Sequence, residues 1–318
     1  MNKLKILTFN HHESYLCSLA ETGHDFDVVV KYKNLDLSWS KNQRPCPANF
    51  RMVTFDDIRD QLRGRNYDVI ICHTLKNLLW LFFCSGQSYI FVAHIPLFKH
   101  TFALRIKSLL KKLAYTAFKM SHRVAFFAVS MFKLESWNER GFVAVLSPQK
   151  LPPLIANTGF EKIIFVCNDL ATRREELGYS YLESIAAELP LQVIGNNPGI
   201  TYAVKPKDFE EFTNLFRSAR IFLYTIKQPY GDGYNTAMLE AMSLGMAIVT
   251  IHNPSSPIIH NVNGLVANNT AELKAYLRKL LGDRNLVTKL GDAAQKTVAE
   301  KFSKDAFLKA WNEVLSCK

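Results

Sequence analysis

The stretch 230–251, YGDGYNTAMLEAMSLGMAIVTI, most narrows what this chain can fold into, because it reads in order as loop, helix and buried strand. Gly231 and Gly233 loosen the loop so that backbone can approach a ligand closely. Asn235 or Thr236 suits the cap of a helix favoured by Ala237, Met238, Glu240, Ala241 and Met242. Gly245 closes that helix, and the apolar, mostly β-branched run 248–251 has the composition of a parallel strand covered on both faces.

Two carboxylates frame the corner, Asp232 in the loop and Glu240 about a turn and a half into the helix. Between them lies a helix N-terminus, whose unpaired N–H groups and positive dipole end favour an anion such as a diphosphate. A carboxylate accepts two hydrogen bonds from a vicinal diol, which suits Glu240 to a ribose and Asp232 to a sugar. Eight helical residues span roughly 12 Å, comparable to the distance from ribose to hexose in a nucleotide sugar.

The run DGYNTAMLEAMSLGMAIV resembles the donor-site signature of retaining GT-B glycosyltransferases of the group-1, family-four-like type. Gly233, Glu240, Ala241, Met242, Gly245, Ile248 and Val249 match it, with Tyr234 at its aromatic position. Asp232 stands where the signature has a longer acid, and Asn235 where it has a second glycine. The resemblance implies an α/β GT-B fold: two Rossmann-like domains whose parallel sheets face each other across a cleft, with a C-terminal helix packing back on the first domain. It implies Gly233, Tyr234, Asn235 and Thr236 as further donor-binding residues.

Its length of 318 residues accommodates two domains of about 150 residues each, and a 48% hydrophobic content supports real cores. Residues 1–150 carry 21 lysines and arginines against 11 acids, whereas the rest carries 18 against 17, so the net charge of +11 is concentrated in the first half. Cys17, Cys46, Cys72, Cys84, Cys167 and Cys317 show no C-x-x-C pair and read as reduced cytosolic thiols. The opening residues are too short an apolar run for a signal peptide, and residues 78–98 are interrupted by CSGQS, so no transmembrane helix and a cytoplasmic location are expected.

Strand, helix and strand over residues 4–9, 14–22 and 26–30 begin a parallel α/β sheet. His11, His12 and Glu13 follow the first strand, where open α/β sheets place ligands. They are candidate acceptor contacts, or else a polar loop with a helix-capping glutamate. Asp25-Phe26-Asp27 superficially matches a metal-holding Asp-x-Asp, but it stands at a helix-to-strand turn, the wrong end of the sheet; metal independence is expected, with no cofactor besides a nucleotide diphosphate sugar as co-substrate. Strands 68–73 and 89–93 each lead to a histidine. The resemblance implies a sugar-contacting histidine after a strand of the first domain: His94 is the first candidate, catalytic in role, and His73 the second, on the acceptor side.

Residues 99–123 hold Lys99, Arg105, Lys107, Lys111, Lys112, Lys119 and Arg123 and no acid, while Phe102, Ile106, Leu109, Leu113 and Phe118 recur near helical spacing. An anionic membrane surface is one expected partner of such a segment; a solvated basic face is the other reading. Nucleic acid is not expected, since no binding motif is present.

The stretch 147–159, SPQKLPPLIANTG, marks a linker between a domain at 1–150 and one at 151–302, with 303–318 as the returning helix. Strands 162–167, 191–194 and 221–225 alternate with helices 179–188 and 208–218. The resemblance implies an arginine and a lysine clamping the donor diphosphate after the first of these strands. Here Asn168 takes the arginine's place, and Arg173 or Arg174 stands near the lysine's, an arginine fork gripping two phosphate oxygens. Lys205 falls where the family cradles the nucleobase. Motifs for dinucleotide, P-loop or nucleophile-elbow chemistry are missing. The expected function is transfer of a hexose to a glycan or lipid-linked acceptor, with a non-catalytic scaffold of the same fold as the alternative.

Overall fold

The computed structural model describes residues 2–32, 35–40, 44–82, 86–97, 101–144 and 146–316. The chain forms two compact units, Met1–Leu146 with Lys304–Lys318, and Ser147–Ser303. The first crossing therefore precedes the linker instead of following residue 150. Residues of the Pro-rich stretch are tied into the second unit, where Ile155 N–H donates to the Arg217 carbonyl (3.2 Å) and Arg220 Nε to that of Thr158 (3.0 Å).

The first unit runs β1 (Lys5–Phe9), α1 (Glu13–Ala20), β2 (Asp25–Tyr32), β3 (Leu35–Asp36), β4 (Phe50–Thr54), α2 (Arg59–Arg63) and β5 (Val69–Cys72). It continues with α3 (Leu75–Phe82), β6 (Tyr89–Ala93), α4 (Phe102–Lys119), β7 (Val124–Ala128), α5 (Met131–Ser136) and β8 (Phe142–Val143). In the second unit come β9 (Ile163–Val166), α6 (Arg174–Leu177), α7 (Tyr179–Ala186), β10 (Leu191–Ile194), β11 (Ala203–Val204) and α8 (Phe209–Arg217). Then follow β12 (Ile221–Tyr224), α9 (Thr236–Ser243), β13 (Ala247–Ile251), β14 (Leu265–Ala267), α10 (Thr270–Gly282) and α11 (Arg284–Lys301). The last helix, α12 (Lys304–Ser316), belongs to the first unit.

Strand order in the first sheet is β3-β2-β1-β5-β6-β7-β8, with β4 also beside β2; every pairing is parallel except β2 with β3. Both faces are covered. Leu7, Phe9, Ile70, Cys72 and Phe91 pack with Tyr115 and Phe118 of α4 and with Trp137. Ile6, Val28, Val69, Ile71 and Phe127 pack with Leu16 of α1 and with Phe307, Trp311, Val314 and Leu315 of α12. Trp311 is fully buried and stacks on Phe127 with ring centroids 4.3 Å apart. Its helix thus completes a core begun three hundred residues earlier in the sequence.

The second sheet is all parallel in the order β11-β10-β9-β12-β13-β14, so the order reverses between β9 and β12. Open α/β sheets bind ligands at the carboxyl ends of strands flanking such a reversal. The corresponding point of the first sheet lies between β1 and β5.

Asp27 is buried and accepts from Arg51 Nε (2.7 Å) and the Tyr67 hydroxyl (2.6 Å), while Asp25 pairs with Lys3 at 2.7 Å. Both acids of the Asp-x-Asp are engaged at the start of β2, away from the strand ends that bind ligands. Cys17, Cys46, Cys72 and Cys167 are free thiols; Cys84 and Cys317 lie outside the described residues. Among the described residues no helix is long and apolar enough to cross a membrane.

Candidate active site

The loop from β12 to α9 is clamped by the segment that follows β13. Asn253, itself buried, donates through Nδ2 to the carbonyls of Ile226 (3.3 Å) and Gly231 (3.2 Å), and Gly233 N–H donates to Ser255 Oγ (2.8 Å). A Cβ on Gly233 would fall on the backbone nitrogen of Ser256. A glycine is therefore required here by protein packing. The Tyr224 hydroxyl donates to the Asp232 carbonyl (3.0 Å), fixing the backbone at the acid. Burial, and then the nearby Asp232 charge, hold the Tyr224 phenol well above its usual range.

Asn235 is the cap of α9: its Oδ1 accepts from Met238 N–H at 2.8 Å. Where the signature has glycine, this side chain occupies one of the helix donors, leaving the N–H groups of Thr236 and Ala237 in the first turn. Asp232 and Glu240 are 4% and 1% exposed. Both acids also have interactions within the protein, and they are set beside the carboxyl end of β12, where open α/β sheets bind ligands. The Tyr234 ring packs edge-on against Phe302 with centroids 5.0 Å apart, and its phenol, mostly buried, still feels the charge of Asp232.

Beyond β9, Arg173 is bonded to Glu176 through Nε (3.0 Å) and Nη2, and Arg174 lies over the Tyr179 ring at 4.0 Å. Each arginine thus has a neighbour close in sequence, Glu176 in α6 for Arg173 and Tyr179 at the start of α7 for Arg174. Asn168, at the arginine's expected place, accepts from Asn196 N–H (2.8 Å) and ties the ends of β9 and β10 together. Lys205 is exposed just after β11. Asn253 and Ser255 escaped the sequence reading, since a lone Asn-Pro-Ser-Ser run after a strand signals a turn and no more.

In the first unit, four histidines gather at the carboxyl ends of β1, β5 and β6. His73 Nε2 lies 2.9 Å from Thr8 Oγ1, and His73 Nδ1 lies 2.8 Å from His94 Nε2. The Thr8 hydroxyl donates to the Ile71 carbonyl (3.4 Å), so in the neutral pair His73 Nε2–H donates to Thr8 and His94 Nε2–H donates to His73. His94 Nδ1 is then left as an acceptor. His11 stacks on His73 at 5.7 Å and Tyr15 meets the His94 ring edge-on at 4.8 Å. His12 is committed differently: its Nδ1 accepts from Tyr15 N–H (3.3 Å) and caps α1, the role the sequence suggested for glutamate. Glu13 is buried and accepts from Asn10 Nδ2 (3.3 Å) and Ser40 N–H.

Burial first, then the charges of His11 and His12, hold His73 well below the ordinary histidine range; burial and His73 do the same to His94. Both are neutral at neutral pH. Below about pH 6.5 the unfolded chain takes up protons that the folded pair does not, so the stability they allow is full above that pH and falls as pH drops toward the folded-state values. The unfolding free energy of the first unit is expected to fall between pH 7.5 and 5.5, by up to about 1.4 kcal/mol per pH unit for each imidazole, and its melting temperature with it. His73→Gln should flatten the profile in calorimetry; an unchanged slope would count against this origin.

Two units with Rossmann-like parallel sheets, the second ending its β12–α9 corner in two buried acids, define the GT-B class of α/β protein. Residues 192–283, from β10 through α10, match the family described as Glycosyl transferases group 1, bearing out the resemblance on which that half was read. Among solved structures, Anabaena HepE in complex with UDP-glucose aligns with a TM-score of 0.71 at 13% identity, over 99% of this chain and 100% of its own. Sucrose-phosphate synthase from Thermosynechococcus elongatus aligns at 0.68 and 13% identity, over 99% and 100%. TarM from S. aureus, in complex with fondaparinux, α-GlcNAc-glycerol and UDP, aligns at 0.59 and 15% identity over 78% of this chain, which spans only 55% of that protein. No curated protein sequence matches significantly. At these identities the likeness is one of fold.

Proposed function

We propose that the chain is a retaining, metal-independent glycosyltransferase that moves a hexose from a nucleotide diphosphate sugar to a glycan or lipid-linked acceptor. The observation that carries this reading is Glu240, 1% exposed in the second turn of α9, with the buried Asp232 in the loop that leads into the same helix, in a half that matches group-1 glycosyltransferases. Glu240 would take the ribose diol and Asp232 the sugar hydroxyls, with the diphosphate between them on the N–H groups of Thr236 and Ala237. As the glycosidic bond opens, charge develops on the leaving phosphate. Arg173 or Arg174, freed from Glu176 or Tyr179, would meet it there, and Lys205 would lie toward the base. In a front-face path the leaving phosphate takes the acceptor proton. His94 Nδ1 would accept from a sugar hydroxyl, with His11, His73 and Glu13 on the acceptor side. Among the relatives by fold, HepE binds UDP-glucose, which supports a donor of that kind. The free thiols support a cytoplasmic location, and a role in surface polysaccharide synthesis fits a glycan acceptor.

Two observations favour a binding protein without activity: Asn235 fills part of the phosphate cradle, and Arg173 is already paired. A thermal-shift panel of UDP, GDP, ADP and dTDP sugars, followed by turnover with and without a chelator, separates the two readings. Stabilisation by one nucleotide with chelator-resistant transfer is expected. Silence across the panel sinks the donor site, and activity restored only by manganese sinks metal independence.

A further inference from the structure

Helix α4 carries two apolar faces, and only one of them is used by the fold. At about 100° per residue, Ser108, Tyr115 and Phe118 turn toward the sheet and are buried. Phe102, Ile106, Leu109, Leu110 and Leu113 fall roughly opposite and are 46% to 79% exposed, as is Met120 just past the helix end at 75%. The sequence pattern had placed Phe118 with the others; packing in the core separates it from them. Cations border the exposed stripe on both sides, Arg105, Lys112 and Lys119 along one edge and Lys107 and Lys111 along the other. Lys112 and Lys119 reach Glu139, whereas residues 101–123 themselves contain no acid; Lys99 lies outside the described residues.

We propose that α4 lies in the plane of an anionic lipid surface, its stripe from Phe102 to Leu113 entering the interface and its flanking lysines and arginine meeting the headgroups. A stripe this large on a soluble face is an interaction surface, and an in-plane helix takes this distribution of an apolar centre with cationic edges. A second copy is the poorer occupant, because it would set the same cations against each other with no acid on the helix to pair them. The surface goes beyond the transferase reading and stands without it, and it would bring the first unit to acceptors held in that lipid plane.

Flotation of the full chain with vesicles of phosphatidylcholine alone and of an equimolar phosphatidylcholine–phosphatidylglycerol mixture tests this. Binding to the anionic vesicles only, weakened by salt, is expected, and about tenfold or more weaker for Leu109→Asp/Leu113→Asp and for Lys107→Glu/Lys111→Glu. Circular dichroism and melting should be unchanged in both, since Leu109, Leu113 and Lys107 are exposed and Lys111 is only half-buried. Binding to neither vesicle, equal binding to both, or a dimer in solution that Leu109→Asp dissociates would overturn the proposal. Nucleotide thermal shifts measured on the same variants keep failure of the donor reading separate from failure of this one.

Discussion

Glu240→Ala is expected to weaken nucleotide diphosphate binding about a hundredfold while leaving the fold intact. Two charge-assisted hydrogen bonds to a ribose diol, at about 1.5 kcal/mol each, amount to roughly two decades in affinity. The position makes the effect specific. Glu240 sits within α9 at 1% exposure, and its backbone carbonyl, accepting from Leu244 N–H (3.1 Å), is untouched by the substitution. Glu240→Gln should recover part of the binding, because the amide keeps one acceptor and one donor. Isothermal titration with UDP and its diphosphate relatives reads both variants. Affinity within twofold of the parent chain would remove Glu240 from the donor site.

Trp311→Ala carries the largest expected cost in stability, about 3–5 kcal/mol, as for other large aromatic truncations in a closed core. The indole is fully buried, stacks on Phe127 of β7, and stands among Tyr15, Phe307, Val314 and Leu315. Its removal leaves a cavity against the central strands of the first unit, and a melting temperature lower by about 10 °C follows. The second unit has its own sheet and helices, so its transition should move little. Calorimetry resolves the two, and a loss of less than about 1 kcal/mol would mean that α12 contributes far less than its burial indicates.

Most of the α/β alternation was legible because it is local chemistry. β6 and β10 fall on the residues read as strands, and α8 begins directly after Asp208, whose carboxylate accepts from Glu211 N–H (2.8 Å). β4 was not read: Phe50, Arg51, Met52 and Thr54 form a strand only partly covered, after two prolines, and such a pattern is hard to tell from a loop. α3 was folded into an apolar run broken by CSGQS, where periodicity over eight residues cannot separate helix from strand. At the site, the motif announced Asp232, Gly233 and Glu240, yet it could not tell that Gly233 makes room for Ser256 or that Tyr234 packs edge-on against Phe302. Those are contacts with segments twenty or more residues away.

By itself, the order of residues determined the loop–helix–strand corner at 230–251, its capping, and the repeated βα alternation, because caps, glycines and β-branched runs act on their immediate neighbours. Only the tertiary structure decided which atoms meet across strands. It brought His73 and His94 within 2.8 Å, held Arg173 on Glu176, and turned one apolar face of α4 inward while leaving the other bare. Periodicity specifies that a helix has faces; the shape of the core it packs against selects which of them is covered.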